Sequence, residues 1–347
     1  PPPVRADYYM GFVVSKDLIA QDPHLQNDCT SCHKGNSAAK DQKAAHTGML
    51  DRPSDDPEAA CGTCHPEIAK NYTLSLHYTA AGMKHGVSGR FSEAEKKVFD
   101  AKVFEQSCRS CHASCGDCHV KSPVISGVNL GLMDGHRFVR KDESKTCALC
   151  HGGRVYPEFT GEYGGTPDVH YRKGMTCADC HPGDQFHGDG NAYTARADVP
   201  MKPTCTNCHP LEYLGKDSTK ETHETHDGTV SCSACHTASS YRQCSNCHLG
   251  EGARSNPAIV LGRNPRNPKE LTTLRLIPTV RETFKKAGIA QANFDALPNY
   301  WNTVPHNIAK RTDRTRDCNT CHQEGLYYLD AKMLPPGSSK KNLELVP

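Results

Sequence analysis

The sequence predicts mostly irregular coil with short α-helices and little β, wrapped around a core that the protein's own side chains do not supply. Three observations predict it. Hydrophobic residues make up 36% of the 347-residue chain and aromatics 7%, whereas average globular domains approach 45–50% apolar on a count that includes glycine. All 20 cysteines fall in one pentapeptide, Cys-x-x-Cys-His, repeated ten times. Ten copies in 347 residues leave about 35 residues for each, too thin a polypeptide to enclose each site separately.

The pentapeptides pair Cys29 with Cys32, Cys61 with Cys64, Cys108 with Cys111, Cys115 with Cys118, and Cys147 with Cys150. The series continues with Cys177 and Cys180, Cys205 and Cys208, Cys232 and Cys235, Cys244 and Cys247, and Cys318 and Cys321. No cysteine is left for a disulfide, a thiolate nucleophile or a lipid anchor. Zinc sites use paired cysteines too, but zinc demands no histidine directly after the second one. A thioredoxin-like motif occurs once in a domain. Cys-x-x-Cys-His is the attachment signature of c-type haem: the thiols form thioethers to two vinyl groups, and the adjacent histidine reaches the iron. The expected cofactors are ten covalent haem c groups with iron. Their expected proximal ligands are His33, His65, His112, His119, His151, His181, His209, His236, His248 and His322.

Twenty histidines less those ten leave ten more: His24, His46, His77, His85, His136, His170, His187, His223, His226 and His306. Ten haems ligated by histidine on both faces need ten distal ligands, so the count closes. For any one of these the plain alternative is a surface histidine, and His223 and His226 sit in a loop-like Glu-Thr-His-Glu-Thr-His-Asp run. Methionine is the other candidate axial ligand, with Met83 and Met175 nearest the motifs, and it would raise the potential.

Four stretches organise the chain: an N-terminal arm (1–28), a haem-rich region with nine motifs (29–248), a haem-free loop and helix segment (249–305), and the last motif with the tail (306–347). Only Ala113 and Ser114 separate the Cys108 and Cys115 motifs, and a short linker separates Cys232 from Cys244, so each pair of haems is expected to be adjacent. Ser92-Glu93-Ala94-Glu95 is a capping box that starts a helix with Val98, Ala101 and Phe104 on one face. Pro66 to about Tyr78 reads as a helix carrying His77. In the haem-free segment the first half reads as extended loop. Thr279-Val280-Arg281-Glu282 then starts a helix, with Phe284 on its apolar face and Gly288 as the stop. The segment is expected to cover the haems, and Pro335 to Pro347 to be extended.

Other classes are excluded. No run reaches the 18 apolar residues of a membrane helix, and 41 Lys+Arg against 39 Asp+Glu, without a basic block, do not suggest nucleic acid. The chain opens Pro1-Pro2-Pro3 and reads as mature, its export signal removed.

The ten motifs, with free histidines shortly before them (His136 before Cys147, His170 before Cys177, His306 before Cys318), resemble the large multihaem c-type cytochromes of bacteria and archaea. That resemblance implies a fold built on a continuous haem stack. It also implies electron transport across or beyond the cell envelope, extracellular or at the cell surface rather than periplasmic. Extracellular cytochrome filaments are homopolymers in which a histidine of one protomer can ligate a haem of the next, and His24 is the candidate here. Filament-type relatives pass electrons to other redox proteins or to extracellular acceptors and have no catalytic residues. Relatives that are terminal metal reductases, or enzymes reducing nitrite, hydroxylamine or tetrathionate, remain the alternative. Those enzymes keep one haem open, and no Cys-x-x-Cys-Lys exists here.

Overall fold

The computed structural model describes residues 14–120, 124–125, 128–129, 136–138, 144–162, 165–214, 219–238, 259–277, 280–323 and 325–347. The motif from Cys244 to His248, and with it the expected 232/244 pair, lies outside them, as do Thr279 and the Cys111 side chain. The chain divides into two compact units.

The first unit comprises Pro1–Gly82, Cys111–Leu149 and Cys177–Met201. Its helices are one or two turns long, among them Lys16–Gln21, Cys29–His33, Gln42–Ala45, Pro57–Ala60, Pro66–Tyr72, Leu76–Thr79, Cys115–His119 and Gly183–His187. Such segments are too short to be stable alone, and local caps supply part of what holds them. Ser15, Asp41, Asp56 and Ser75 each accept a backbone N–H from the first turn they precede, satisfying donors that a helix start leaves open. A minimal antiparallel hairpin, β1 (Val124–Ile125) with β2 (Val128–Asn129), completes the regular structure. Among the described residues the buried apolar side chains of this unit are Pro57, Ala69, Tyr72, Ala80, Ala195 and Val199. The helix expected from Pro66 to Tyr78 is two helices, because the chain turns at Leu74 and Ser75 caps a new start. His77 rides on the second.

The second unit, Met83–Ser110, Cys150–Thr176 and Lys202–Pro347, has a conventional core. Ser92 and Glu95 form the expected capping box at the head of helix Glu93–Phe99, which runs on as a π-turn over Asp100–Phe104. That turn shifts the buried stripe: Phe91, Phe99 and Phe104 are buried and Ala101 is exposed. Phe91 and Phe99 meet Phe284 with ring centroids 5.5 and 5.4 Å away. Beside them the Arg90 guanidinium donates to the carbonyls of Phe294 and Pro298, both at 2.8 Å.

The regular β structure is small, as expected, but the extended loop expected in the first half of the haem-free segment fails after residue 258. Strands β3 (Ile259–Asn264), β4 (Asn267–Leu276) and β5 (Tyr300–Asn302) form an antiparallel sheet in that order. Val260, Leu274, Leu276, Tyr300, Leu329 and Leu345 pack together on it. Pro265 and Pro268 mask the pattern in the sequence, yet Pro265 lies in the β3–β4 turn and Pro268 at the start of β4, where the register shifts between Asn264↔Asn267 and Arg263↔Leu271. A missing N–H costs little at either place. Gly262 sits where β3 meets the core: a Cβ there would stand 2.5 Å from Leu274 Cδ1 and 2.7 Å from the Leu345 carbonyl. The tail is not extended either. It makes a 3-10 turn over Lys340–Leu345 that buries Leu345 and puts the Asn342 side chain on the Asn299 and Tyr300 N–H groups. Gly288 does stop a turn, at φ +82°, but the turn it ends is the 3-10 segment Lys285–Ala287.

Candidate haem-binding histidines and cysteines

The pentapeptide folds into one helical turn. In Cys29–His33, Cys115–His119 and Cys232–His236 it is α-helical, and in the Cys177 and Cys205 motifs the cysteines start a 3-10 turn. The histidine N–H donates to the carbonyl of the first cysteine in the Cys61, Cys177, Cys205 and Cys318 motifs, at 2.9 to 3.0 Å. Positions i, i+3 and i+4 share a helix face, so two thiols and an imidazole emerge on one side.

Among the described residues, six of the ten histidines outside the motifs face a motif histidine across nearly one separation. In the first unit the pairs are His24 with His65, His136 with His33, and His187 with His119, at ring-centroid distances of 6.3, 6.0 and 6.0 Å. In the second they are His170 with His209, His223 with His236, and His226 with His322, at 6.1, 6.1 and 5.9 Å. A metal held between two imidazole nitrogens requires about 6.3 Å. That is roughly 2.0 Å for each metal–nitrogen bond and about 1.15 Å from nitrogen to centroid in a ring of ~1.35 Å bonds. The donor set therefore fits a six-coordinate haem iron.

The second nitrogen of these rings is tied down. Nδ1 meets the Leu50 carbonyl in His33, the Thr219 carbonyl in His223, the Thr222 carbonyl in His226 and the Ala309 carbonyl in His236, at 2.7 to 3.2 Å. In His24 and His170 it meets a carboxylate instead, Asp22 or Asp168, at 2.9 Å in each case. Nδ1–H bonds of this kind leave Nε2 as the ligand atom and hold the ring in place. Burial first, and then the facing imidazole, lower the pKa of His136 and His187 below the ordinary histidine value, which keeps the neutral, metal-binding form.

The expected loop around His223 and His226 is the helix Lys220–His226, and its two histidines serve different motifs. His24, the expected intersubunit ligand, faces His65 of its own chain, with ring centroids 6.3 Å apart, and stacks on Phe138 at 4.3 Å. The Phe186 ring lies beside both His77 and His181, at 5.5 and 6.3 Å. His306 takes the Glu158 carboxylate on its backbone N–H at 2.9 Å. His112 bonds the Tyr78 carbonyl through Nδ1 and meets the Tyr78 ring edge-on at 5.0 Å. His46 and His85 are exposed and face no ring among the described residues.

Thiols of different motifs also meet. Cys61 shares a hydrogen bond with Cys115, which draws the Cys61 pKa down to about 7, and Cys232 shares one with Cys205. These contacts, and the two carboxylate–histidine clamps, were invisible in the sequence. Asp22-Pro23-His24 and Asp168-Val169-His170 share an Asp-x-His spacing that could have found the clamps.

Residues 169–249 match the family model for cytochrome c3. This part of the chain is similar to cytochrome c3. The matched span holds the Cys177, Cys205, Cys232 and Cys244 motifs with His170, His187, His223 and His226; His170 and His223 face motif histidines inside it, and His187 and His226 face motif histidines outside it. The match supports a multihaem c-type cytochrome that carries electrons on covalently bound haem c. No solved structure matches the chain. Among the described residues no helix is long and apolar enough to cross a membrane.

Proposed function

We propose that the protein is an electron conduit of ten covalently bound, mainly bis-histidine c-type haems, working outside the cell as the subunit of a homopolymeric filament. The observation that carries this reading is the set of six imidazole pairs at 5.9 to 6.3 Å. In it the twenty cysteines form the thioethers, the ten motif histidines are proximal ligands, and the ten free histidines are distal. His77 is assigned to His181 through their shared neighbour Phe186. His46, His85 and His306 are left for His112, His151 and His248.

Bound haem supplies the Fe(III)/Fe(II) couple. The chain's own residues do the rest. An imidazole on each face leaves no position for a substrate, and the Nδ1 tethers stop the rings from swinging away, so oxidation and reduction need little rearrangement. The Cys61–Cys115 and Cys205–Cys232 contacts bring neighbouring attachment points together, which suits transfer between adjacent haems.

Mass spectrometry of the intact holoprotein should find ten haems. Its oxidised electron paramagnetic resonance spectrum should be low-spin, and negative-stain microscopy of material from the cell exterior should show thin regular filaments. Discrete particles would remove the filament and leave the conduit. A second reading, an enzyme with one open haem, is favoured by His112, which meets Tyr78 rather than an imidazole among the described residues. A high-spin signal that responds to nitrite or hydroxylamine would establish it.

A further inference from the structure

We infer that Asp22 and Asp168 are potential-setting residues that lower the potentials of the haem irons that the His24–His65 and His170–His209 pairs would hold. This rests on the bis-histidine reading. The two sites are built alike. Oδ1 of Asp22 accepts from His24 twice, from the backbone N–H at 3.0 Å and from Nδ1 at 2.9 Å. Oδ1 of Asp168 accepts from His170 in the same way, at 2.7 and 2.9 Å. In both, Oδ2 takes a backbone N–H from far along the chain, Phe138 at 3.4 Å and Ile308 at 2.9 Å. Both carboxylates are sheltered, their side chains 12% and 2% exposed.

The other tethered histidines offer a contrast. His33, His46, His112, His223, His226 and His236 donate Nδ1–H to neutral backbone carbonyls, and His181 to the Gln185 amide oxygen at 2.7 Å. A carboxylate pulls the Nδ1 proton harder than a carbonyl does, so Nε2 becomes the better donor. A more basic axial ligand, with a negative charge close by, favours Fe(III) over Fe(II) and lowers the potential. Hydrogen bonds to a charged group exceed neutral ones by enough to change an equilibrium about tenfold.

The test is a redox titration of the holoprotein, followed by absorbance and by the low-spin resonance signals, for wild type and for Asp22→Asn. Asparagine keeps an oxygen for the two His24 N–H groups and removes the charge, at the cost of the longer bond that Oδ2 accepts from the Phe138 N–H. One haem's share of the absorbance should move upward by about 59 mV, a change of about tenfold in its Fe(III)/Fe(II) ratio at fixed potential for a one-electron couple. Its low-spin signal should persist. Asp168→Asn should do the same to a second haem, and because that carboxylate is the more buried, Asp22→Asn carries the test if it fails to fold. Superposable titrations with intact low-spin signals would overturn the tuning and spare the ligation. The ligation itself is read from His24→Ala: if no haem changes spin state, the pair assignment falls and the tuning with it.

Discussion

At the residue scale, a distal histidine is distinguished by what lies opposite it. The helix Lys220–His226 carries His223 and His226 three positions apart, and they face His236 and His322 respectively. Removing one should therefore alter one haem and leave the other. His223→Ala and His226→Ala are each expected to convert a single low-spin haem to high-spin, and the double variant two, read from the oxidised resonance spectrum. Replacement of His226 by Met should keep that haem low-spin and raise its potential, since thioether ligation favours Fe(II). Neither histidine stood out in the sequence, where a Thr/Glu-rich run resembles a solvated loop. The helix is recognisable only once both rings have somewhere to point.

Short elements depend on their end groups. Glu95 caps its own helix through the Ser92 N–H and also takes the N–H groups of Ala292 and Ala290, and these bonds hold its pKa below the ordinary 4.5. A depressed carboxylate contributes stability that is fully present above about pH 4.5 and disappears as pH falls through the folded value. Glu95→Gln should therefore destabilise at pH 7, by about 1 kcal/mol on the scale of lost caps, with the difference from wild type shrinking toward pH 3 in denaturant titrations. The sheet tests packing instead of charge. Gly262→Ala would force a methyl into Leu274 and the Leu345 carbonyl, so about 1–3 kcal/mol should be lost. Leu274→Ala, at a site with 0% exposure, should cost about 2–5 kcal/mol.

Across the whole molecule the two units are held differently. The second owns an aromatic cluster around Phe99 and an aliphatic one on the sheet. Among the described residues the buried apolar side chains of the first come down to Pro57, Ala69, Tyr72, Ala80, Ala195 and Val199, far short of what offsets the entropy of ordering those residues. On the haem-binding reading, the porphyrins supply the missing apolar surface. A chain expressed without haem attachment should accordingly keep hydrogen-exchange protection in β3 and β4 while residues 14–82 exchange freely. Comparable protection in both regions would refute that account.

The sequence by itself determined the attachment chemistry, because Cys-x-x-Cys-His carries its geometry within one helical turn and needs no distant partner to be legible. It also announced the Ser92–Glu95 cap and the Gly288 stop, which are equally local. Pairing was beyond it. Which imidazole faces which is a matter of approach between segments far apart in sequence, from His24 and His65 to His226 and His322. The sheet was hidden for a related reason: β5 joins β4 across some twenty intervening residues, and the prolines that suggested a loop are harmless in a strand turn and at the irregular start of β4. Tertiary structure decided these because a metal site, like a sheet, exists only when separate stretches of backbone arrive at a fixed separation.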